Sequence, residues 1–353
     1  MPILKNLVIS GGGTNGIGFI GILKYLSEKN LFKNIEHYIG TSAGAMLCYF
    51  LSIGFNWREL YEFAYHFNFT KLINDINLDS FLEKFGFEDT SKLFYILKRL
   101  SESKNISPDI TFKEHYEKTK IKLTITGTCI SNYKLYYFNY ETYPDMKILL
   151  ALRISACIPL VFTPIIFEDK LWVDGGITEN YPIGYCKNIE NTLGISIFDN
   201  CIDKCSNTPT DLSEYLTQVF KCLIYSESLK NINNFEENTI KFSYDLGLFS
   251  NFDINKESIE KMFNIGYDCA TNDCKKIMKF INNDDEDIND DDEDINDELS
   301  QSESEKIHKI IKDVENIADN KNNVEDLNSQ NSTSDSTSDI ENINDIINIV
   351  DTS

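Results

Sequence analysis

The chain has 353 residues, enough for one large domain or two smaller ones, and its formal net charge is −23 at pH 7. This charge belongs to residues 282–353, which hold 23 acidic residues against four lysines and leave the rest of the chain nearly neutral. A nearly neutral body with an acidic tail lacks the basic surface that nucleic-acid binding needs, so we expect no DNA or RNA partner.

The chain has nine cysteines, an odd number scattered mostly through apolar runs, which is typical of free thiols in a reducing compartment. Four of them, Cys201, Cys205, Cys269 and Cys274, have spacings too loose for a zinc site, and we expect no metal. The N-terminal sequence MPILKNLVIS lacks the features of a secretory signal, so we expect a cytoplasmic protein.

Strand-like and helix-like segments alternate through residues 1–281. In chain order we predict a strand at 4–10, a helix at 18–30, a strand at 35–40, helices at 43–54, 57–67 and 89–104, strands at 122–130 and 134–140, a helix from Asp145, a hairpin at 164–176, a strand at 191–198, a helix at 211–231, a strand at 238–244 and a last helix at 255–281. This alternation favours an α/β fold in which a mostly parallel sheet carries helices on both faces.

Residues 146–167 are apolar enough to suggest a membrane span, but Arg153 and two prolines interrupt them, so we predict a buried helix followed by short strands. Residues 282–353 are rich in Asp, Asn and Ser, a composition typical of a disordered tail. Within this tail, short helices are predicted near 306–318 and 340–350. The predicted domain is therefore 1–281.

A glycine-rich segment, SGGGTNG at residues 10–16, lies between the first strand and the first helix. Its backbone amides at a helix N-terminus are suited to hold an anion. The same glycines would serve a dinucleotide site, with Glu36 at about the right distance for a ribose contact, ~20 residues on. A simple tight turn is a third interpretation.

The segment Gly40-Thr41-Ser42-Ala43-Gly44 fits the pattern G-x-S-x-G between a predicted strand and a predicted helix. A nucleophile on such an elbow needs small neighbours, because the backbone turns sharply there. Ser42 is therefore the candidate nucleophile, and its hydroxyl needs a base.

A histidine base fits this chain poorly. In an α/β-hydrolase the order is serine, acid, histidine. His308 is the histidine that follows the late acid Asp174, and it lies in the predicted disordered tail, a poor place to hold an imidazole near a serine. We expect structural roles for His37 and His66.

An aspartate offers an alternative base. The segment LWVDGG places Asp174 at the end of an apolar strand, before two glycines that leave access to its carboxylate. A partly desolvated carboxylate in contact with a serine can accept its proton. In isolation, an Asx turn at the strand end would explain the same residues.

Together these three motifs resemble those of the patatin-like phospholipases, a family of serine acyl hydrolases. GGGTNG, GTSAG and DGG occur in the family's order, and ALRISACIPLVFTPI (151–165) is similar to the segment that precedes the family's aspartate. Asn180 and Pro182 match the continuation of the DGG motif. The motifs span residues 4–200, and the fold extends to about 281.

The resemblance implies a three-layer α/β fold and a Ser–Asp dyad without metal or cofactor. Ser42 would be the nucleophile and Asp174 the proton acceptor. The resemblance also implies an oxyanion hole formed by Gly11, Gly12, Gly13, Thr14 and Gly16, with Gly40, Gly44, Gly175 and Gly176 as supporting motif glycines. Implied substrates are phospholipids or neutral glycerolipids, reached through transient contact with a membrane surface.

One residue departs from the family pattern. Asn15 occupies a position where the family usually has Arg or Lys, a change that would leave backbone donors intact but alter substrate preference or activity. Two alternatives to the lipid acyl hydrolase therefore stay open. One is an inactive patatin-like protein that binds lipid or uses its acidic tail to recruit partners, and the other is a nucleotide-binding α/β protein.

Overall fold

The computed structural model describes residues 2–73, 85–198, 208–209, 212–244, 252–281 and 299–319. The helix predicted near 340–350, together with Cys201 and Cys205, lies outside these residues. The account below concerns the described residues.

The centre of the molecule is a mixed eight-stranded sheet with the order β10-β9-β1-β2-β4-β8-β7, and β5 also pairs with β4. Strands β10, β9, β1, β2 and β4 are parallel, whereas β8, β7 and β5 run antiparallel to their neighbours. The strands are β1 Asn6–Ile9, β2 His37–Gly40, β3 Gly86–Glu88, β4 Lys122–Cys129, β5 Lys134–Phe138, β6 Leu160–Phe162, β7 Ile165–Phe167, β8 Lys170–Asp174, β9 Thr192–Ile197 and β10 Thr239–Phe242.

Helices cover both faces of this sheet. They are α1 Gly16–Glu28, α2 Ala43–Ser52, α3 Trp57–His66, α4 Ser91–Ser103, α5 Phe112–Thr119, α6 Ile148–Ser155, α7 Gly176–Glu179, α8 Leu212–Asn234, α9 Lys256–Asn272, α10 Cys274–Met278 and α11 Gln301–Asp319. The predicted α/β architecture, a mostly parallel sheet between helices, is confirmed.

Local sequence explains where two of the helices form. Asn56 caps α3 in a capping box, because its side chain accepts from the amide of Glu59 while the Glu59 carboxylate accepts from the amide of Asn56. In α4 the predicted apolar face, Leu93, Ile96, Leu97 and Leu100, is buried.

The two central strands bring the sequence motifs to one edge of the sheet. β1 and β2 pair in parallel with Ile9 opposite Gly40, so the glycine-rich segment and Ser42 leave the sheet side by side. In α/β sheets, ligands bind beyond the carboxyl ends of parallel strands where neighbouring connections diverge.

Three details differ from the sequence-based expectations. The last predicted helix is two helices, since α9 ends at Asn272, α10 begins at Cys274, and Asp273 lies between them. The pair β3–β6 forms a separate two-stranded sheet that the sequence did not indicate, and α5 was also not predicted. Helix α5 has only eight residues, of which Phe112 and His115 are buried, so its sequence contains too few apolar positions to predict a helix.

The helix predicted near 306–318 is present as α11, and it is longer than expected and packed on the body. It contacts α3 and α4 through the buried side chains of Ile307, Ile310, Ile311 and Val314. Arg99 of α4 forms an ion pair with Asp313 at 2.8 Å. The packed body therefore includes residues beyond position 281.

The apolar runs of the chain form the interior of this body. Among the described helices, none combines the length and the apolar character that spanning a bilayer would require.

Candidate active site

Ser42 lies on a strained elbow between β2 and α2. Its backbone angles are φ 53° and ψ −123°, outside the regions that a residue with a side chain usually adopts. Its amide donates to Ser155 Oγ at 2.9 Å, and its carbonyl accepts from the amide of Met46. These contacts hold the elbow at the N-terminus of α2, where the helix dipole favours negative charge.

The glycines on either side of Ser42 are required by close backbone contacts. A Cβ atom on Gly44 would lie 2.4 Å from the carbonyl oxygens of both Ile9 and Ser10. A Cβ on Gly40 would lie 2.5 Å from the amide nitrogen of Ala45. The G-x-S-x-G spacing thus has a steric basis in this fold.

Asp174 is the last residue of β8 and lies beside Ser42. Ser42 and Asp174 line the same cavity, and the amide of Gly176 donates to Asp174 Oδ1 at 2.7 Å. Burial raises the pKa of Asp174 to about 7, and interactions with the Ser42 side chain and the amide of Gly176 oppose that rise. The fold therefore pairs a strained serine with a carboxylate of raised basicity.

The glycine-rich loop lies on the other side of Ser42. Gly13 has φ +53° and begins a short 3-10 turn, Gly13–Asn15, that leads into α1. The amides of Gly12, Gly13 and Thr14 make no hydrogen bond to the described residues. They are available to an anion, and Gly12 and Gly13 line the cavity in front of Ser42.

Two of the five predicted oxyanion donors are corrected by the backbone hydrogen bonds. The amide of Gly11 donates to the carbonyl of Asn180 at 3.0 Å, and the amide of Gly16 donates to the carbonyls of Gly13 and Thr14. Both groups are already used to shape the loop. Gly11 still lines the cavity, but its N–H points elsewhere.

Asn180 holds the glycine-rich loop against the DGG segment. Its Nδ2 donates to the carbonyl of Gly11 at 3.3 Å and lies 3.4 Å from Ser228 Oγ on α8. Its amide donates to Glu227 at 3.2 Å. Asn180 therefore acts as a positioning residue that links the loop, the segment after β8 and α8.

The cavity in front of Ser42 is small. Its volume is about 30 Å³, room for about two water molecules. Its wall consists of Gly11, Gly12, Gly13, Asn15, Ser42, Ile158, Pro159, Asp174, Gly176, Ile177, Asn180, Ile197, Ile224 and Tyr225. Most of these side chains are apolar, and Asp174 is the ionisable carboxyl among them.

The model of the family described as patatin-like phospholipase matches residues 7–187, about half of the chain. The chain belongs to the patatin-like phospholipase family. The match includes the glycine-rich loop, the Ser42 elbow and the DGG segment, so the family assignment and the geometry concern the same part of the molecule.

Curated relatives of this patatin-like chain include two named lipid enzymes. A protein of Invertebrate iridescent virus 6 named "Probable lipid hydrolase 463L" is 38% identical over 184 residues, covering 51% of this chain and 62% of its own length. The triacylglycerol lipase ptl3 of Schizosaccharomyces pombe is 25% identical over 203 residues, covering 50% of this chain and 40% of its own. The chain thus spans less than two thirds of the length of these relatives.

Among solved structures, VipD from Legionella pneumophila resembles this fold with a TM-score of 0.58 and 16% identity. The similarity covers 90% of this chain and 75% of that one. At this level of identity the similarity concerns the fold.

Asn15, which replaces the family's usual basic residue, is buried and lines the cavity. Its Oδ1 has no hydrogen-bond donor among the described residues. Among the described residues of the cavity wall there is also no lysine or arginine. The described cavity wall therefore carries an uncharged amide at position 15 and no cation.

A network of carboxylates that the sequence did not indicate lies next to the site and contacts it through the backbone amide of Asn180. Glu227 of α8 lies beside Glu179, and the amide of Asn231 bridges the two carboxylates. Burial, and then the charge of Glu179, raise the pKa of Glu227 to about 7. Tyr137 donates to Glu179 and is part of the same network. These residues are separated by up to 94 positions along the chain, so no local motif could reveal them.

The histidines lie outside the cavity wall as described. His37 Nε2 is 2.8 Å from Thr124 Oγ1, and His115 Nε2 is 2.8 Å from Ser52 Oγ. Burial lowers the pKa of His37 to about 3 and that of His115 to about 4, so both imidazoles are neutral near pH 7. These two contacts are structural, and His66 and His308 contact each other.

Proposed function

We propose that this patatin-like domain is a lipid acyl hydrolase that uses Ser42 as nucleophile and Asp174 as base. The observation that carries the proposal is that the strained, buried Ser42 and the buried carboxylate of Asp174 line one cavity beside the free amides of the glycine-rich loop. The family match and the relatives named as lipid hydrolase and lipase support the lipid substrate class.

In the first half of the reaction, Ser42 Oγ attacks the ester carbonyl and its proton passes to Asp174. The amides of Gly12 and Gly13, which line the cavity, stabilise the negative charge on the carbonyl oxygen, an effect worth about 3 kcal/mol per donor. Asp174 then gives the proton to the departing alcohol, and the acyl group stays on Ser42.

In the second half, Asp174 takes a proton from water while the water oxygen attacks the acyl-enzyme. The second tetrahedral intermediate collapses, the fatty acid leaves and the proton returns to Ser42. This sequence needs one carboxylate in two protonation states, which a pKa near the working pH makes accessible.

The test is a hydrolysis assay on the full chain with a short-chain chromogenic ester and with lipid vesicles, in the presence of a chelator. Ser42→Ala and Asp174→Asn should each lower kcat/KM at least ~100-fold, as loss of a nucleophile or base does. Asp109→Asn, whose carboxylate is 70% exposed, is the matched control and should keep full activity.

A folded wild-type protein with no more activity than Ser42→Ala would contradict the proposal. Lipid binding without turnover would then favour the inactive binding module. Nucleotide binding at the glycine-rich loop would favour the other alternative.

We further propose that the preferred substrates are neutral glycerolipids. A phosphate near the scissile ester would meet no lysine or arginine among the described residues of the cavity wall, and it would lie close to Asp174. Asn15 is uncharged and adds no attraction for a phosphate.

The substrate would enter along α8. The cavity volume of about 30 Å³ is smaller than an acyl chain, and Ile224 and Tyr225 of α8 form part of its wall. On the same helix Tyr215, Val219 and Leu223 are exposed by 54%, 39% and 49% and recur every four residues. An apolar stripe next to the cavity fits a lipid surface as its partner.

Leu223→Ser combined with Val219→Ser should therefore reduce binding to neutral-lipid vesicles and hydrolysis of vesicle lipid by at least about 10-fold, the effect of losing about 1.4 kcal/mol of apolar contact. Hydrolysis of a soluble short-chain ester should stay unchanged. Ser226→Ala, on an exposed position of the same helix, is the control. An equal loss of hydrolysis on both substrates would instead mean that these residues are needed to fold the site.

A further inference from the structure

A second cluster of functional side chains lies where α11 meets α3, away from the residues that line the cavity. Glu62 and His66 are one turn apart near the C-terminal end of α3, and His308 faces them from α11. One ligand atom from each residue lies within 4.8 Å of the other two.

The distances between these atoms fit a tetrahedral metal. Glu62 Oε1 is 3.0 Å from His308 Nε2 and 3.6 Å from His66 Nε2. Two ligands at zinc–nitrogen and zinc–oxygen distances of about 2.1 Å, separated by a tetrahedral angle, lie about 3.4 Å apart. Small rotations of the side chains would bring both pairs to this separation.

The hydrogen bonds of the cluster also leave ligand atoms available. His308 Nε2 is shielded from solvent and makes no hydrogen bond among the described residues, although a carboxylate oxygen is 3.0 Å away. This contact is an ion pair when the imidazole is protonated, and a metal ion bound by both atoms would take the place of that proton. Ser304 of α11 donates to Glu62 Oε1 at 2.9 Å and orients the carboxylate.

One cation lies near the cluster, since Lys256 is close enough to His66 to act on its charge. Lys256 reduces the affinity for a cation, but its ammonium lies over the ring of Tyr65, at 4.5 Å from the ring centre.

We propose that Glu62, His66 and His308 bind a divalent transition metal, with zinc the best match to two imidazoles and one carboxylate. Water would complete the coordination. The site joins α3 of the body to α11 of the acidic tail. Its role is structural, because its ligands are absent from the described cavity wall and the proposed hydrolysis uses no metal.

The proposal predicts that zinc stabilises the contact between α11 and the body. Full-length protein, freed of metal by a chelator and then dialysed, should bind one equivalent of Zn²⁺. At a free concentration of 100 Kd, its Tm should rise by at least about 5 °C. Hydrogen exchange of residues 301–319 should slow on zinc addition.

Substitutions can distinguish zinc bound at this site from zinc bound by cysteines. His66→Gln and His308→Gln should each abolish the zinc-dependent Tm shift, while Lys309→Gln, on an exposed position of α11, should keep it. Co²⁺ should give a visible spectrum of a nitrogen- and oxygen-ligated ion in wild type. If a glutamine variant does not fold, the wild-type cobalt spectrum and the zinc-dependent exchange at 301–319 decide the question.

Three results would overturn the proposal. A thiolate-to-cobalt charge-transfer band would place the metal on cysteines, and an unchanged shift in His308→Gln would place it elsewhere. No binding in wild type would reduce the cluster to an ion pair between histidine and glutamate.

Discussion

At the scale of single residues, Asp174 determines the pH range in which the proposed hydrolysis can operate. Proton acceptance requires the ionised carboxylate, and burial raises the pKa of this group to about 7. We therefore expect kcat/KM for a neutral, soluble ester to rise from pH 5 and to level off above about pH 8, with its midpoint near pH 7. A pH–rate profile measures this midpoint. A midpoint below pH 5 would mean that a different group accepts the proton.

The same raised pKa makes Asp174 costly for folding. Its pKa is about 7 in the folded chain against 3.8 for an unperturbed aspartate, so ionisation is disfavoured in the folded state. This free-energy cost of ionisation is absent below pH 3.8, grows as the pH rises to about 7, and is complete above that pH. Asp174→Asn should therefore raise Tm by at least about 2 °C at pH 8, the equivalent of about 1 kcal/mol, and by less at pH 5.

The control for this thermal measurement is Asp109→Asn, which changes a carboxylate that is 70% exposed. Asp109→Asn should leave the difference between the Tm at pH 8 and the Tm at pH 5 the same as in wild type. A lower Tm for Asp174→Asn at pH 8 would show that hydrogen bonds of the carboxylate outweigh the cost of its burial.

Asn15 is an uncharged residue of the cavity wall. A lysine there would supply the cation that the described cavity wall lacks and would attract a phosphate near the scissile ester. Asn15→Lys should raise the ratio of phospholipid to diacylglycerol hydrolysis at least about 5-fold, the effect of about 1 kcal/mol. Asn15→Gln keeps the amide and should leave the ratio unchanged. The same ratio in wild type, Asn15→Lys and Asn15→Gln would show that Asn15 does not determine substrate preference.

At the scale of elements, the elbow depends on how closely α2 approaches β1. Gly44→Ala would place a methyl group 2.4 Å from two backbone carbonyl oxygens, and backbone atoms cannot give way as a flexible side chain can. We expect the free energy of unfolding to fall by about 2 kcal/mol or more, and activity to fall with it as Ser42 moves. Urea unfolding and the ester assay measure both effects.

Gly184→Ala is the matched control for the elbow. A Cβ at this position would meet Phe235 at an ordinary 3.9 Å, and its φ is not in the left-handed region. The change should therefore stay within about 0.5 kcal/mol of wild type. If Gly44→Ala behaved like Gly184→Ala, α2 would be free to shift and the elbow would not be rigid.

The elements show which parts of the site can be predicted from sequence. The elbow and the end of β8 are local, because a strand, a turn and small residues specify them, and the structure places Ser42 and Asp174 at these positions. By contrast, the local sequence does not show which amides of the glycine-rich loop are free to donate hydrogen bonds. The amide of Gly11 is taken by Asn180, 169 positions away, and only the packed structure shows that this donor is used. The network of Glu179 and Glu227 depends on α8 in the same way.

At the scale of the whole molecule, composition alone predicted one boundary and the packing shows another. Residues 282–353 are acidic enough to suggest a single disordered tail, yet apolar residues spaced three and four apart within it form the buried face of α11. The sequence predicts a helix near 306–318, but the average composition of the tail gives no sign that this helix packs on the body. A chain cut at residue 281 would expose the faces of α3 and α4 that α11 covers.

The docking of α11 should be separable from the proposed hydrolysis. Ile310 is 5% exposed, so Ile310→Asp buries an unpaired charge and should release α11 from the body. We expect hydrogen exchange of residues 301–319 to lose its protection, while hydrolysis of a soluble ester stays within about 3-fold of wild type, because local unfolding need not reach the sheet. Lys309→Asp, on the exposed side of the same helix, should preserve the protection. Loss of hydrolysis as complete as in Ser42→Ala would instead make α11 part of the cooperative unit that holds the elbow, and the domain would then have to be defined to include residue 319.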